Sequence, residues 1–471
     1  MTLRIYDTRS RALRDFEPLR PGQVGIYVCG PTVQSPAHVG HLRSAIAFDV
    51  LRRWLLESGY EVTLVRNVTD IDDKVLVNAV AAGRPWWELA TANTRLFNEV
   101  YDAVGVLPPS MEPRATGHVP DMVELIARLL ELGHAYATGD GNVWFDVRSW
   151  PAYGELSGQR PDAMQGDAAD AVAGKRDPLD FALWKASRPD EPESASWETP
   201  WGRGRPGWHI ECSAMARRYL GAEFDIHGGG LDLQFPHHEN ELAQSTAAGD
   251  GFARYWMHHG LLNAGAEKMS KSLGNFQLAS DALAEVRPVV FRYAMLAPHY
   301  RSVTAWTDEV LTEAATAYGR LETFVRNATE IVGGVEPVEG GGSATWHEFA
   351  AAMDDDLGVP QGLAVIHGAV RAGNSLLEAG GDRMELAAVL AVVRRMLAVL
   401  GLEPGQWPAA DGGGRLTAVV DELVQLALSA RAEARARKDF TAADEIRDRL
   451  VAAGVVVEDT PAGARWRLAG E

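Results

Sequence analysis

The chain has 471 residues, of which 46% are hydrophobic, and its formal net charge is −19 at pH 7. That length allows about two to four domains with a sizeable core, while the acidity argues against a nucleic-acid partner recognised over a broadly basic surface. Two cysteines are too few for a disulfide framework, the charged N-terminus is unlike a signal peptide, and arginines interrupt the most apolar stretch, so we expect a cytoplasmic protein without a membrane span.

The first strong pattern is a strand, a turn and a helix within residues 24–55. A β-branched and aromatic run ends at a Cys-Gly-Pro turn, which predicts a buried strand, and apolar residues then return at helical spacing. His38 and His41, in the motif HVGH, lie on the first turn of that helix, where unpaired N–H groups and the dipole favour a phosphate. Gly40 between them would let a flat ring approach the backbone. Two nearby histidines are more often surface residues than ligands, so this pattern needs a second signal.

A second strand is predicted over residues 61–65, and three aspartates follow it within 70–73. These aspartates could form a magnesium site or cap a helix, and the cap is the commoner use. Helical patterns over 86–105 and 116–134 carry apolar stripes that are typical of a packed core.

Between residues 135 and 206 the pattern changes to short strands, turns and an acidic loop, which indicates an insertion between two halves of one sheet. The glycine-rich run at 202–207 formally matches a dinucleotide-binding fingerprint. It follows no predicted strand and holds a proline where a helix should begin, so we reject that interpretation.

The next pattern is a strand that starts at residue 224 and is expected to open into three glycines. Gly230 would let the backbone lie against a ligand, and Asp232 is placed to accept a hydrogen bond from a ribose hydroxyl. An ordinary glycine turn with a capping aspartate is the alternative.

Four residues that could ligate one metal ion are scattered along the chain. Cys29 follows the first strand, and Cys212 is the second of the two cysteines. Pro236 favours a helix start, which puts His237 and Glu241 at positions i and i+4 on one helical face. Two thiolates, an imidazole and a carboxylate can complete a tetrahedral zinc site. Alternatively, the cysteines are small buried hydrophobes and the histidine-rich segment is a polar helix surface.

A lysine- and serine-rich motif, KMSKS, occupies residues 268–272. By itself such a run is usually a solvated loop. Together with HVGH, however, it resembles the two signature sequences of the class I aminoacyl-tRNA synthetases. The resemblance implies an α/β chain whose Rossmann-type nucleotide-binding domain activates an amino acid with ATP and magnesium. The catalytic residues that it implies are His38, His41, Lys268 and Lys271.

Five further blocks are similar to those of the cysteinyl-tRNA synthetase family of bacterial type. They read YVCGPTV, NVTDIDDK, GWHIECSAM, FDIHGGG and FPHHENELAQS, and the similarity covers nearly the whole chain. It implies one zinc ion that takes the thiolate of L-cysteine directly. The implied zinc ligands are Cys29, Cys212, His237 and Glu241. The implied cysteine-pocket residues are Gly30, Thr32, Thr69 and Trp208. The implied ATP-binding residues are Gly40, Gly230, Asp232 and Lys271.

The last third of the chain is rich in alanine, leucine and arginine and is predicted to be helical, with glycine-rich breaks at 333–343 and 405–414. By resemblance, residues 308–403 form a helical anticodon-binding bundle, and 415–471 form a small α+β module that recognises tRNA. By the same resemblance, residues 1–134 and 207–307 are the two halves of the catalytic domain, and residues 135–206 are a connective insertion between them.

The same resemblance implies tRNA(Cys), L-cysteine and ATP as partners of a monomer without membrane contact. Because the net charge is strongly negative, a basic tRNA-binding face must be local. The candidates are Arg431, Arg435, Arg437 and Lys438, and separately Arg203 and Arg205. Charge runs of this kind are also typical of solvated helix faces. Gln34 stands where the family pattern leads us to expect an aromatic residue.

Two other functions compete with this interpretation. One is a cysteine ligase that joins cysteine to an amino-sugar in thiol biosynthesis, an enzyme relative with the same signatures and zinc site. Residues 415–471 argue against it, because a small-molecule ligase does not need an anticodon-reading end. The other is a non-catalytic zinc- and RNA-binding paralogue, which the presence of both signature motifs disfavours.

Overall fold

The computed structural model describes residues 2–160, 174–264, 267–268, 276–334, 342–408, 412–460 and 463–468. The chain forms two compact units, Met1–Glu403 and Pro404–Glu471. Within the described residues, no helix is both long and apolar enough to cross a membrane.

The first unit begins with an antiparallel hairpin and continues into alternating strands and helices. In chain order these elements are β1 (Arg4–Asp7), β2 (Ala12–Asp15), β3 (Gln23–Val28), α1 (Val39–Glu57), β4 (Glu61–Arg66), α2 (Asp73–Ala81), α3 (Trp86–Ala103) and α4 (Val119–Glu131). The predicted strands and helices of this region are therefore confirmed. Asp72 caps α2 by accepting a hydrogen bond from the Lys74 N–H at 2.8 Å, so the helix-cap interpretation of this aspartate is also confirmed.

An antiparallel sheet of four short strands follows, in the order β5-β6-β7-β8. Its strands are β5 (Ala135–Ala137), β6 (Val143–Phe145), β7 (Phe181–Ala186) and β8 (Gly204–Pro206). The rejected fingerprint contributes β8, whose Arg205 pairs with Lys185 of β7. A strand at this position cannot be the glycine-rich turn that cradles a pyrophosphate, so the rejection is confirmed.

The chain then returns to the central sheet through α5 (Trp208–Leu220), β9 (Glu223–Gly230), a π-helical turn at Gln234–His238, α6 (Glu239–Ala247), β10 (Phe252–His259), β11 (Leu262–Ala264) and β12 (Glu267–Lys268). The central sheet is parallel, in the order β10-β9-β3-β4. From β3 the chain moves outward to β4 and later returns to β9 on the other side. A crevice at the carboxyl ends of β3 and β9 is the expected binding position in such a sheet.

The glycines of β9 differ from the sequence-based expectation. The strand does not open into them but runs through all three, and ends at Gly230. A side-chain carbon at Gly228 would lie 2.2 Å from the ring of Phe48 on α1, so the glycine lets this helix pack directly on the sheet. The prediction of a loop at this position was wrong. A glycine run allows a helix to pack closely on a strand as well as allowing a turn, and the sequence pattern does not distinguish these two uses.

Helices complete the first unit. They are α7 (Ala279–Glu285), α8 (Pro288–Leu296), α9 (Asp308–Val332), α10 (Ser343–Asp354), α11 (Val359–Ala379) and α12 (Arg383–Val399), with a short strand β13 (Thr304–Ala305) before α9. Arg292 on α8 joins several of these elements, because it pairs with Asp49 of α1 and donates to the carbonyls of Leu400 at 2.8 Å and Val104 at 3.0 Å. Both side chains of the ion pair are fully buried.

The second unit contains α13 (Gly412–Ala436), α14 (Phe440–Ala452) and the antiparallel hairpin of β14 (Val455–Thr460) and β15 (Gly463–Leu468). Its small core consists of Val424, Leu428 and Val455, with Leu450 and Trp466 among the residues packed against them. Two helices and a hairpin agree with the small α+β module expected at 415–471.

The buried ion pair predicts a large loss of stability when one partner is removed. Arg292→Met should lower the free energy of unfolding by roughly 3–5 kcal/mol, because Asp49 would keep its charge without this partner. Urea denaturation followed by tryptophan fluorescence measures the change. The control is Arg84→Met, which removes the exposed pair with Glu88 and should cost about 1 kcal/mol or less. Equal losses in the two variants would contradict this account of the junction.

Candidate metal centre and nucleotide cavity

The four predicted metal ligands meet in the interior of the first unit. Cys29 follows β3, Cys212 lies on α5, His237 lies in the π-helical turn and Glu241 lies on α6. All four are buried, and one ligand atom from each lies within 4.8 Å of the others. The sulfurs are 3.6 Å apart, and Glu241 Oε1 lies 3.2 Å from Cys29 Sγ and 3.0 Å from His237 Nε2.

This donor set fits a zinc ion. Metal–ligand lengths of about 2.0–2.3 Å in a tetrahedron place neighbouring donors about 3.3–3.8 Å apart, close to the observed spacing. Two sulfurs, one imidazole nitrogen and one carboxylate oxygen are also typical zinc donors. Small adjustments of side chains would therefore be enough to hold the ion.

Electrostatics at the centre favour a cation. Burial and the charge of Glu241 raise the pKa of Cys212, but hydrogen bonding from Cys29 and the charge of His237 outweigh them and lower it to about 6. Burial also opposes ionisation of Glu241, yet His227 and His237 hold its pKa well below the usual value. A thiolate and a carboxylate buried side by side need positive charge nearby, as a metal ion supplies.

Three histidines that the sequence analysis missed surround these ligands. His209 Nδ1 lies 2.9 Å from Nδ1 of His237, and His227 Nε2 lies 2.9 Å from Oε2 of Glu241. His238 and His227, with Cys29 and Glu241, form a second group whose donor atoms lie within 4.8 Å. The blocks GWHIECSAM, FDIHGGG and FPHHENELAQS contain these histidines and are the sequence signal that could have found them, although the three come from separate elements without metal-binding spacing.

A cavity of about 330 Å³ opens from the metal centre along the carboxyl ends of the central strands. Cys29 lines it at one side, and the two histidines of HVGH line it at another. Other predicted site residues on its wall are Gly30, Thr32, Gly40, Trp208, Gly230 and Asp232. The structure thus brings the candidate metal site, cysteine pocket and nucleotide site into one space.

The HVGH residues form the N-terminal end of α1. His38 is the N-cap, and its N–H donates to His41 Nδ1 at 3.1 Å. The two rings lie 3.7 Å apart between centroids. Gly40 has a structural role besides exposing backbone, because a side-chain carbon there would lie 3.0 Å from the ring of His38. Imidazoles at a helix N-terminus are well placed to meet a phosphate.

The cysteine-pocket candidates occupy different positions. Trp208 stacks on His237 with ring centroids 4.1 Å apart, which places an indole between the metal ligand and the cavity. Thr69 is buried, and its hydroxyl donates to Glu211 at 2.8 Å. Thr69 does not line the cavity itself, whereas Thr32 does. Gln34, where an aromatic residue was expected, also lines the cavity.

The second signature motif is described only in part. The backbone of Lys268 belongs to β12 and pairs with Asn263 of β11. Lys271 lies outside the described residues, so its predicted role stays a prediction.

Two candidates for RNA contacts were wrong. Arg205 is 2% exposed and pairs with Asp73 and Glu191, and Arg431 is 7% exposed. A buried guanidinium cannot meet a phosphate backbone. Exposed candidates in the second unit are Arg435, Arg437 and Lys438, and for them RNA contact stays a prediction.

Known proteins that are similar to this chain belong to the family that its sequence motifs resemble. Family models match at residues 15–316 (tRNA synthetases class I (C) catalytic domain), 348–403 (DALR domain) and 418–467 (Cysteinyl-tRNA ligase anticodon binding domain). The chain is 55% identical to a cysteine–tRNA ligase of Streptomyces griseus over 99% of both chains. It is 56% identical to a cysteine–tRNA ligase of Beutenbergia cavernae over 100% of both chains.

Solved structures with the same fold are more distant in sequence. A Mycobacterium tuberculosis methionyl-tRNA synthetase in complex with methionyl-adenylate has a TM-score of 0.59 at 17% identity, covering 81% of this chain and 90% of that one. A ternary complex of an Agrobacterium radiobacter LeuRS with tRNA and LeuAMS has a TM-score of 0.60 at 12% identity, covering 84% and 88%. These similarities establish the fold of the first unit.

The histidines around the metal ligands give a direct prediction. His227→Phe keeps an aromatic ring but removes the hydrogen-bonding partner of Glu241 Oε2, so zinc affinity should fall by roughly 10- to 100-fold. Competition with a chromophoric chelator measures this affinity. His134→Phe is the control, because His134 bonds to Ser149 in the insertion and should leave zinc affinity unchanged. Equal affinity in both variants would show that His227 does not orient the ligand.

Proposed function

The chain belongs to the cysteinyl-tRNA synthetase family of class I tRNA synthetases, and from this premise we propose that it activates L-cysteine with ATP and transfers it to tRNA(Cys). We further propose that one zinc ion at Cys29, Cys212, His237 and Glu241 selects the substrate. The observation that carries the proposal is that Cys29, one member of this buried donor set, lines the same cavity as the HVGH histidines.

Selection of cysteine over serine requires more than shape. A pocket that measures only size and apolar fit separates such near-isosteres by roughly a hundredfold. A bound zinc ion supplies affinity for the cysteine thiolate that a poorly ionised hydroxyl of serine does not match. The ligand Cys29 lines the cavity, and Trp208 covers His237 on the cavity side, so a substrate side chain can reach the donor set from there.

The chain's own residues would perform adenylation by positioning and electrostatics. The cysteine carboxylate attacks the α-phosphate, and negative charge grows on that phosphate and on the leaving pyrophosphate. His38 and His41 would meet this charge from the N-terminus of α1, with Lys268 and Lys271 adding positive charge from the KMSKS motif. Asp232 would hold the ribose, Gly40 and Gly230 would lie along the nucleotide, and magnesium would accompany ATP. Gly30 and Thr32 would hold the amino acid beside Trp208, and Thr69 would support the pocket through Glu211.

The two competing functions are less well supported. The family match at 418–467 is to an anticodon-binding domain, for which an amino-sugar ligase has no use. Both HVGH histidines line a cavity of substrate size beside the metal site, which a non-catalytic paralogue would not need. The decisive experiment is cysteine-dependent ATP–pyrophosphate exchange followed by transfer assays with tRNA(Cys) and with an amino-sugar acceptor. Transfer to the sugar alone would overturn the proposal.

We assign the domains as predicted from the sequence. The halves of the catalytic domain are 1–134 and 207–307, the connective insertion is 135–206, the anticodon-binding bundle is 308–403, and the tRNA-recognition module is 415–471. The break between compact units at Glu403 supports the separation of that module from the preceding residues. We also propose that the protein acts as a cytoplasmic monomer.

Loss of the metal should abolish the selection of cysteine as substrate. Cys212→Ser and chelator-treated wild-type protein should each contain little zinc and lose cysteine-dependent pyrophosphate exchange by roughly a hundredfold or more, since direct recognition of the thiolate is removed. Zinc content is measured by atomic spectroscopy. Arg218→Gln, a change at an exposed position farther along α5, is the control that should retain zinc. Metal-free wild-type protein that still activates cysteine and rejects serine would end this account of specificity.

Deletion of residues 415–471 should separate the two reaction steps. The first unit is compact by itself and holds the whole cavity, so pyrophosphate exchange should persist. Transfer to tRNA should weaken, by roughly tenfold or more in kcat/KM, because contacts with the RNA are lost. Aminoacylation of tRNA(Cys) at limiting RNA concentration measures the second step. Unchanged transfer would mean that this module does not recognise tRNA.

A further inference from the structure

A buried arginine two residues after the HVGH motif binds backbone from a distant part of the chain. Arg43 on α1 is 2% exposed, and its guanidinium donates only to main-chain carbonyls among the described residues. The acceptors are Gly260 (3.0 Å), Met295 (3.1 Å), His299 (3.1 Å), Tyr300 (3.4 Å) and Ser302 (2.9 Å). Burial lowers the pKa of Arg43 to about 10, so the side chain stays charged at neutral pH.

The carbonyls that Arg43 binds adjoin the wall of the cavity and the strands that lead into the second signature motif. Gly260 lies between His259 and Leu261, which both line the cavity, and its N–H donates to Tyr300 O at 2.8 Å. From there β11 runs parallel to β13 and antiparallel to β12, the strand that contains Lys268. The backbone of residues 299–305 therefore sets the register of the strands that lead into KMSKS.

The residues that follow KMSKS in the chain are attached to the start of α1 and to the segment after α8. Leu278 forms a bridge with His38, and the Val39 N–H donates to Gln277 O at 3.1 Å. The side chain of Gln277 in turn accepts from the indole N–H of Trp306 at 2.8 Å. Both described flanks of the motif are thus tied to the start of α1 or to the segment after α8.

The opposite side of residues 299–302 is held by the helical bundle. Asp356, in the loop between α10 and α11, is 4% exposed. Its carboxylate accepts from the Tyr300 hydroxyl and from Arg301 Nε, both at 2.7 Å, while its carbonyl lies 2.9 Å from His299 Nε2. The segment therefore presents its carbonyls to Arg43 and its side chains to Asp356.

We propose that residues 299–302 are a coupling joint between the helical bundle and the two signature motifs, with Arg43 and Asp356 as positioning residues on its two faces. The inference rests on the proposed function, because it concerns adenylation and an RNA-binding role of the bundle. Neither residue lines the reacting end of the cavity. Each acts through the backbone between them, and a displacement of about 1 Å in such a support is enough to slow a positioned reaction by up to roughly a hundredfold.

Three variants test the proposal. Arg43→Lys keeps the charge but cannot span the same set of carbonyls, and Asp356→Asn keeps the shape but loses the charge that holds Arg301. Asp355→Asn is the matched control, because Asp355 is the preceding residue in the same loop and pairs with Arg4 at an exposed position. Each variant is measured in cysteine-dependent pyrophosphate exchange, with active-site titration to count the molecules that form adenylate.

We expect kcat per active site to fall by roughly tenfold or more in Arg43→Lys and in Asp356→Asn, with zinc content and the KM for cysteine unchanged. The double variant should be no slower than about the slower single variant, because both act through one segment. A purely structural role would lower the number of active sites and leave kcat per site at the wild-type value, which would overturn the proposal. Losses that multiply in the double variant would also overturn it. An inactive wild-type protein would instead refute the proposed function.

Discussion

The rest of the structure depends on one constraint, which is the packing of four ionisable candidate metal ligands inside the first unit. They are Cys29, Cys212, His237 and Glu241. Cys29 Sγ lies 3.2 Å from Glu241 Oε1, close enough for the neutral thiol to donate a hydrogen bond, but once both cysteines ionise as metal ligands the buried negative charge needs a cation. The ligands come from the end of one strand and from three later segments, so the sheet must form before the site exists. Metal binding and folding of this region are consequently linked, and each should stabilise the other.

The helix α1 extends this constraint to the rest of the unit. Its first turn faces the cavity, Arg43 holds the backbone beside the cavity, and Asp49 pairs with buried Arg292 farther along. Near its end, Trp54 donates to Asp354 of the helical bundle at 3.1 Å. One helix therefore contacts the cavity at one end and the helical bundle at the other, which is a direct physical route between the two.

Sequence alone predicted those parts of the site that depend on local chemistry. HVGH lies at a helix N-terminus because strand, turn and helix are encoded within thirty or so residues, and the i, i+4 pair of His237 and Glu241 follows from helical geometry. Resemblance supplied the pairing of Cys29 with Cys212. Arg43 was missed because the carbonyls that it binds lie more than 200 residues away in the chain. His227 was missed because its sequence position is that of an ordinary strand residue, although Glu241 follows only 14 residues later. Arg205 shows the reverse error, since its charge suggested exposure but two acidic partners stabilise it in the interior.

The most direct test of the central claim is the absorption spectrum of the cobalt-substituted protein during titration with amino acids. Cobalt in place of zinc reports thiolate ligands through an intense charge-transfer band. If the substrate thiolate binds the metal, the band should strengthen on addition of L-cysteine and stay constant with L-serine at the same concentration. A spectrum that is insensitive to L-cysteine, in protein that still forms cysteinyl-adenylate, would contradict the account.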